Sequence, residues 1–111
     1  MKAEVQDMIS QKIAKTVNSN LYNPEFNVTK LSEIVAMDRV TLYRFLKRVN
    51  NCTPHEFIEH SRFEYAKELL RNENNKIKDV AVDAGFADNR HFSTRFKKKY
   101  GMTPRAYRYA I

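Results

Sequence analysis

A chain of 111 residues, 42% of them apolar, has room for one domain or two very small ones and enough hydrophobic content to fold. Lys and Arg outnumber Asp and Glu 20 to 13, and the resulting net charge of +7 favours a polyanionic partner, either nucleic acid or an anionic membrane face. A single cysteine, Cys52, excludes an internal disulfide and a thiolate metal cage, which suits a reducing cytoplasm, and no stretch approaches the ~18 apolar residues of a membrane span.

Helical spacing of apolar residues dominates, and the expected fold class is all-α, with about seven helices. Val5, Ile9, Ile13 and Val17 recur every four residues and predict a first helix over about 3–19, broken by Asn18-Ser19-Asn20 and Asn23-Pro24. Asn27 can cap a second helix over about 28–35, with Leu31, Ile34 and Val35 inward. Asp38 can cap a third over about 39–50, where Leu42, Phe45, Leu46 and Val49 stand at i, i+3, i+4 and i+7 and Asn51 offers a left-handed stop. Thr53-Pro54-His55-Glu56 is a capping box with proline at the first helical position. It opens a long fourth helix to about Arg71, with Phe57, Ile58, Ala66, Leu69 and Leu70 inward. After the polar loop at 72–75, Ile77, Val80, Ala81 and Ala84 mark a fifth helix ended by Gly85. A sixth runs from about Asn89 to Tyr100 with Phe92 and Phe96 inward, Gly101 stops it, and Thr103-Pro104 starts a short seventh holding Tyr107.

The chain repeats itself. At an offset of 50, Asp38 pairs with Asp88, Leu42 with Phe92, Leu46 with Phe96, Lys47 with Lys97, Asn51 with Gly101, Thr53-Pro54 with Thr103-Pro104 and Phe57 with Tyr107. Upstream the offset is 49: Leu31 meets Val80, Ala36 meets Gly85 and Met37 meets Phe86, so the second copy holds one extra turn residue, Ala87. Each copy is a short helix, a tight turn, a longer basic helix and a stop followed by Thr-Pro, which is a helix-turn-helix made twice. The expected organisation is one DNA-binding domain over 1–111: a first helix-turn-helix subdomain at 3–51, a connecting helix at 53–72 and a second subdomain at 76–111.

The segments Leu31-to-Phe57 and Val80-to-Tyr107 resemble the paired motifs of the AraC/XylS family of transcription regulators. Ala84-Gly85-Phe86, His91-Phe92-Ser93, Phe96-Lys97-Lys98 and Gly101-Met102-Thr103-Pro104 carry the second motif, and Ser61-Arg62 through Ala66-Lys67-Glu68-Leu69-Leu70 is similar to the connecting helix. The resemblance covers about 5–109. It implies two small subdomains joined by a rigid central helix, each placing one recognition helix in the major groove on the same DNA face, in a transcription activator. Double-stranded DNA and RNA polymerase are the partners expected, with no cofactor and a cytoplasmic location. Such domains mostly follow an N-terminal sensor domain, where oligomerisation would reside, and a minority stand alone. Thr94 departs from the family pattern, in which arginine is common, and Val40 and Tyr43 are less polar than many family readers.

With 42, 45, 46 and 49 inward, the third helix turns Arg39, Val40, Tyr43, Arg44 and Lys47 outward, and the sixth presents Asn89, Arg90, Ser93, Thr94 and Lys97. The N-terminal part of a recognition helix reaches base edges while later basic residues meet phosphates. On that logic Arg39, Arg44 and Arg90 are donors, with guanine as the partner of Arg44 and Arg90; Asn89 suits adenine, Ser93 and Thr94 make short contacts, and Val40 and Tyr43 press on thymine methyls. Lys47, Arg48, Lys97, Lys98 and Lys99 form two matched phosphate-binding clusters. The plain alternative is a solvated basic face, and for Val40 and Tyr43 a protein contact. A fourth helix of about 18 residues spans roughly 27 Å, and the major groove returns to one face every ~34 Å. Unlike readers on the two copies then require an asymmetric site of roughly 17–20 base pairs bound by a monomer.

His55, His60 and His91 lack the i, i+4 spacing that shares a metal on one helical face, and no phosphate loop, nucleophile elbow or paired carboxylates point to an enzyme. Cys52 aligns with Met102 and reads as a small core residue. A basic helical module for RNA or protein is the main competitor. Matched turns and caps argue against it, since RNA modules rely on sheet aromatics or disordered arginine tracts. A membrane-surface helix fails because no wide apolar stripe flanks the basic faces.

Overall fold

The computed structural model describes residues 2–110, so both ends of the expected 1–111 domain lie outside the described residues. Seven helices and no strand occur among the described residues: α1 (Ala3–Ser19), α2 (Val28–Val35), α3 (Arg39–Asn50), α4 (Pro54–Leu70), α5 (Ile77–Asp83), α6 (Asn89–Tyr100) and α7 (Pro104–Ala110). The chain divides into two compact units. Unit 1 holds the residues up to Asn20 together with Phe26–Ser61, and unit 2 holds Leu21–Glu25 with everything from Arg62 onward.

In unit 1, α1 packs on α2 and α2 on α3. Ile13, Val17, Phe26, Leu31, Val35, Leu42, Phe45, Leu46 and Ile58 are buried. Each such aliphatic or aromatic side chain withdrawn from water contributes roughly 1.5–3 kcal/mol. Two residues counted in the helical periodicity are exposed. Val5 is exposed, and Ile34 is 52% exposed, because Leu31 and Val35 at i, i+4 already fill the narrow inner side of an eight-residue helix. Cys52, expected in the core, is only half-buried; burial raises its thiol above the ordinary value, with the nearby Glu56 carboxylate adding to the shift.

Unit 2 is built around Phe63, 1% exposed, which no reading of the fourth helix had placed inward. Its ring centroid lies 4.8 Å from Phe86, 6.1 Å from Phe92 and 6.2 Å from Phe96. Phe96 in turn meets Tyr100 at 4.7 Å and Tyr107 at 5.7 Å. Such pairs add ~0.5–1.5 kcal/mol each beyond the area they bury. Ala66, Leu70, Val80, Ala81 and Ala84 complete the buried cluster.

Two arginines tie loops to this unit. Arg62 donates from Nε to the Leu21 carbonyl (3.4 Å) and from Nη2 to the Asn23 carbonyl (2.7 Å), which fixes the 21–25 segment. Arg108 donates from Nε to the Leu70 carbonyl (2.9 Å) and from Nη2 to the Asn75 carbonyl (2.6 Å), which closes the polar 72–75 loop.

Candidate nucleic-acid interface

The first motif is assembled from local chemistry. Asn27 Oδ1 accepts from the Lys30 amide at 3.0 Å and starts α2. Ala36 ends it at φ 56°, ψ 41°, and there the Ala36 amide donates to the Glu33 carbonyl and the Met37 amide to the Ser32 carbonyl (3.1 Å). Asp38 then starts α3, accepting from the Thr41 amide at 2.8 Å and from the Thr41 hydroxyl at 2.9 Å. Asn51 stops α3 at φ 54°, and Thr53 and Glu56 exchange the two bonds of a capping box at 3.1 and 2.9 Å.

The second motif repeats these bonds at the offset read in the sequence. The Gly85 amide donates to the Val82 carbonyl (3.0 Å), matching Ala36 and Glu33, and the Phe86 amide to the Ala81 carbonyl (2.9 Å), matching Met37 and Ser32. Asp88 caps α6, accepting from the Arg90 amide (2.6 Å) and the His91 amide (3.3 Å). Gly101 stops it at φ 79°, with its amide on the Lys97 carbonyl (2.8 Å), and Thr103 Oγ1 accepts from the Ala106 amide (3.1 Å). Gly85 is needed for two reasons. Its φ is +87°, and an added Cβ would run into the Leu21 carbonyl oxygen and come within 2.8 Å of Arg62 Nε.

Burial of Leu42, Phe45 and Leu46 fixes how α3 is rotated, and burial of Phe92 and Phe96 does the same for α6. The opposite face of α3 exposes Arg39, Val40, Tyr43, Arg44, Lys47 and Arg48. That of α6 exposes Asn89, Arg90, Thr94, Lys97 and Lys98, with Ser93 half-buried, whereas Lys99, exposed too, stands at i+3 from Phe96 and so falls towards the inner side. Within each unit the expected base-facing side chains thus share one helix surface with last-turn basic residues, Lys47 and Arg48 on α3 and Lys97 and Lys98 on α6. Two of the cations also make internal contacts: Arg48 lies 5.6 Å from the Phe45 ring centroid, and Lys99 Nζ lies 5.5 Å from Phe63 and 5.8 Å from Tyr100.

The caps set the local electrostatics. The Asp38 carboxyl sits below the usual carboxylate range because the Thr41 amide, then the Thr41 hydroxyl, donate to it. Asp88 is lowered by the Arg90 amide, then by that of His91, and Glu56 by the Thr53 amide, then by the Thr53 hydroxyl. Behind α6, burial raises Tyr100 well above its ordinary value, and its hydroxyl donates to Glu64 Oε2 at 2.9 Å, which strengthens the shift. Among the described residues no group of His, Cys, Asp and Glu side chains could hold a metal ion, and no helix is long and apolar enough to cross a membrane.

Sequence reasoning missed the surroundings of Val40 and Tyr43. These two side chains line an open concavity of about 460 Å³ together with Val28, Pro54 and His55. The periodicity of α3 gives no signal for His55, which belongs to the next helix and reaches the concavity only through the tight turn at Asn51.

Residues 31–110 match the family described as "Helix-turn-helix domain". The transcriptional activator RhaS of Escherichia fergusonii is 35% identical over 78 residues, covering 70% of this chain and 28% of its own length. The solved AraC-type transcriptional regulator of Chromobacterium violaceum superposes with a TM-score of 0.85 at 21% identity, covering 96% of this chain and 94% of that one. The chain belongs to the AraC/XylS family. Membership makes it a sequence-specific DNA-binding domain of the transcription-regulator type. Histidine kinase P4 of Formosa agariphila is similar too, at 31% identity over 105 residues that make up 95% of this chain and 8% of that protein. The AraC/XylS chain thus spans less than a third of the length of either curated relative.

Proposed function

We propose that the chain is the DNA-contacting part of a transcription activator, bound as a monomer to an asymmetric duplex site with α3 and α6 in successive major grooves. The observation that carries this reading is the duplicated turn. The same backbone bonds and acidic caps present two helices whose outward residues differ, Val40-Tyr43-Arg44 against Arg90-Ser93-Thr94. Arg39, Val40, Tyr43 and Arg44 face one half-site and Asn89, Arg90, Ser93 and Thr94 the other. Arg44 and Arg90 donate to guanine and Asn89 pairs with adenine. Lys47, Arg48, Lys97, Lys98 and Lys99 bind phosphates and supply affinity without sequence information.

Activation is supported by the name of the RhaS relative, a transcriptional activator; RNA polymerase as second partner and a cytoplasmic location belong to the same proposal. The small share of each relative that this chain covers supports a place within a larger regulator. Footprinting on a site selected from random duplex DNA, with the mass of the complex measured in parallel, tests the reading. The expected result is two protected grooves over roughly 17–20 base pairs at one chain per duplex. A single protected groove, or an obligate dimer on a palindrome, would refute it.

A further inference from the structure

Val40 is 59% exposed and Tyr43 47% exposed, on a helix face that otherwise carries Arg39, Arg44 and Lys47. At i, i+3 the two are surface neighbours, with Cβ atoms ~5–6 Å apart. They border the open concavity that also holds Val28, Pro54 and His55. The equivalent positions of α6, at an offset of 50, are Arg90 and Ser93. One helix therefore carries a step of a valine and an aromatic ring where its duplicate carries an arginine and a serine.

That step has one chemical counterpart in a major groove. Base edges there present donors and acceptors, and their apolar group is the C5-methyl of thymine, which 5-methylcytosine shares. We infer that unit 1 reads pyrimidine C5-methyl groups through Val40 and Tyr43, and that this sensitivity is confined to its half of the site. The inference rests on the proposed placement of α3 in the major groove. Two side chains ~5–6 Å apart cover neighbouring base pairs, which rise ~3.4 Å per step. Arg39 and Arg44 also line the concavity, and their positive charge suits a phosphate-lined duplex as its occupant. The trough is open rather than enclosed, so it takes the edge of a duplex.

Deoxyuridine in place of thymine removes the methyl and nothing else. On a duplex selected from a random library, replacing thymines one at a time should weaken binding about fourfold at one or two neighbouring positions. At those positions 5-methylcytosine should bind about fourfold tighter than cytosine. The variants Val40→Ala and Tyr43→Ala remove exposed side chains, and circular dichroism checks that they fold. Combined in one protein they should bind thymine and uracil duplexes equally, while Arg90→Ala lowers affinity and keeps the uracil sensitivity. If the selected duplex is bound but no uracil substitution matters, or if the α3 variants keep the sensitivity, the inference is wrong and DNA binding stands. If no duplex is enriched or bound, both readings fall together.

Discussion

Replacing Gly85 by alanine places a methyl group against the Leu21 carbonyl oxygen, 2.8 Å from Arg62 Nε, at a residue held at φ +87°. The left-handed backbone alone costs an L side chain ~1–2 kcal/mol. The obstacle is backbone, so the 21–25 segment must move away. That motion breaks the bonds from Arg62 to the Leu21 and Asn23 carbonyls, worth ~1 kcal/mol each at a half-buried site. The sum is ~3–4 kcal/mol. Two controls separate strain from collision. Gly101 has φ +79° with nothing within 4 Å of an added Cβ, so Gly101→Ala should cost only the strain, ~1–2 kcal/mol. Ala36 already bears φ 56° at the position equivalent to Gly85. Ala36→Gly relieves that strain but loosens the unfolded chain, and the two nearly cancel. Urea unfolding followed by circular dichroism and tyrosine fluorescence measures all three. Equal losses for Gly85→Ala and Gly101→Ala would refute the argument, because they would show that the 21–25 segment offers no resistance.

Acid should destabilise the fold through its caps. The carboxyls of Asp38, Asp88 and Glu56 titrate below their ordinary values when folded. Their contribution is therefore complete above the unfolded range near pH ~4 and is lost as pH falls through the lowered values. The thermal midpoint should be flat from neutral down to about pH 5 and fall below about pH 4, and a rise on acidification would contradict the cap assignments. Arg44→Ala should cost roughly 1–3 kcal/mol on the preferred site and relax preference at one or two base pairs. Lys98→Ala should weaken all duplexes alike, so equal, sequence-independent losses in competition gel shifts would remove the reading role of Arg44. The two basic clusters should give a log–log salt slope on the order of −5 or steeper by fluorescence anisotropy; a flat response would remove the phosphate assignment.

What was legible in the sequence was local. Asn27, Asp38, Thr53 with Glu56, Asp88 and Gly101 act within four residues of themselves, and each forms the cap or stop its residue type suggests. The boundaries Asn89–Tyr100 follow from a cap and a stop alone. Phe63 escaped because α4 gives its first turns to one unit and its last to the other, so no single apolar face runs its length. The one signal for it was the 63, 66, 70 spacing shared with Ala66 and Leu70. Ile34 and Val5 failed in the opposite sense: periodicity counts apolar residues but cannot tell whether a partner covers them. The loop anchors Arg62 and Arg108 bond to carbonyls 33 to 41 residues away, a range that spacing rules do not reach.

The two motifs share turns but not interiors, and this bears on how the chain avoids confusing them while folding. Leu42 and Leu46 occupy the positions that Phe92 and Phe96 hold in the second copy, and Leu31 and Val35 those of Val80 and Ala84. A chain carrying one motif twice risks exchange, in which α2 captures α6 or a second molecule lends its copy. Pairing α2 with α6 would set Leu31 and Val35 against Phe92 and Phe96 where smaller Val80 and Ala84 belong. Overfilling of that kind costs ~1–3 kcal/mol per site. Pairing α5 with α3 would leave voids around Leu42 and Leu46, also penalised. The leucine-to-phenylalanine replacements thus work as a matching code, letting each short helix find its own long one.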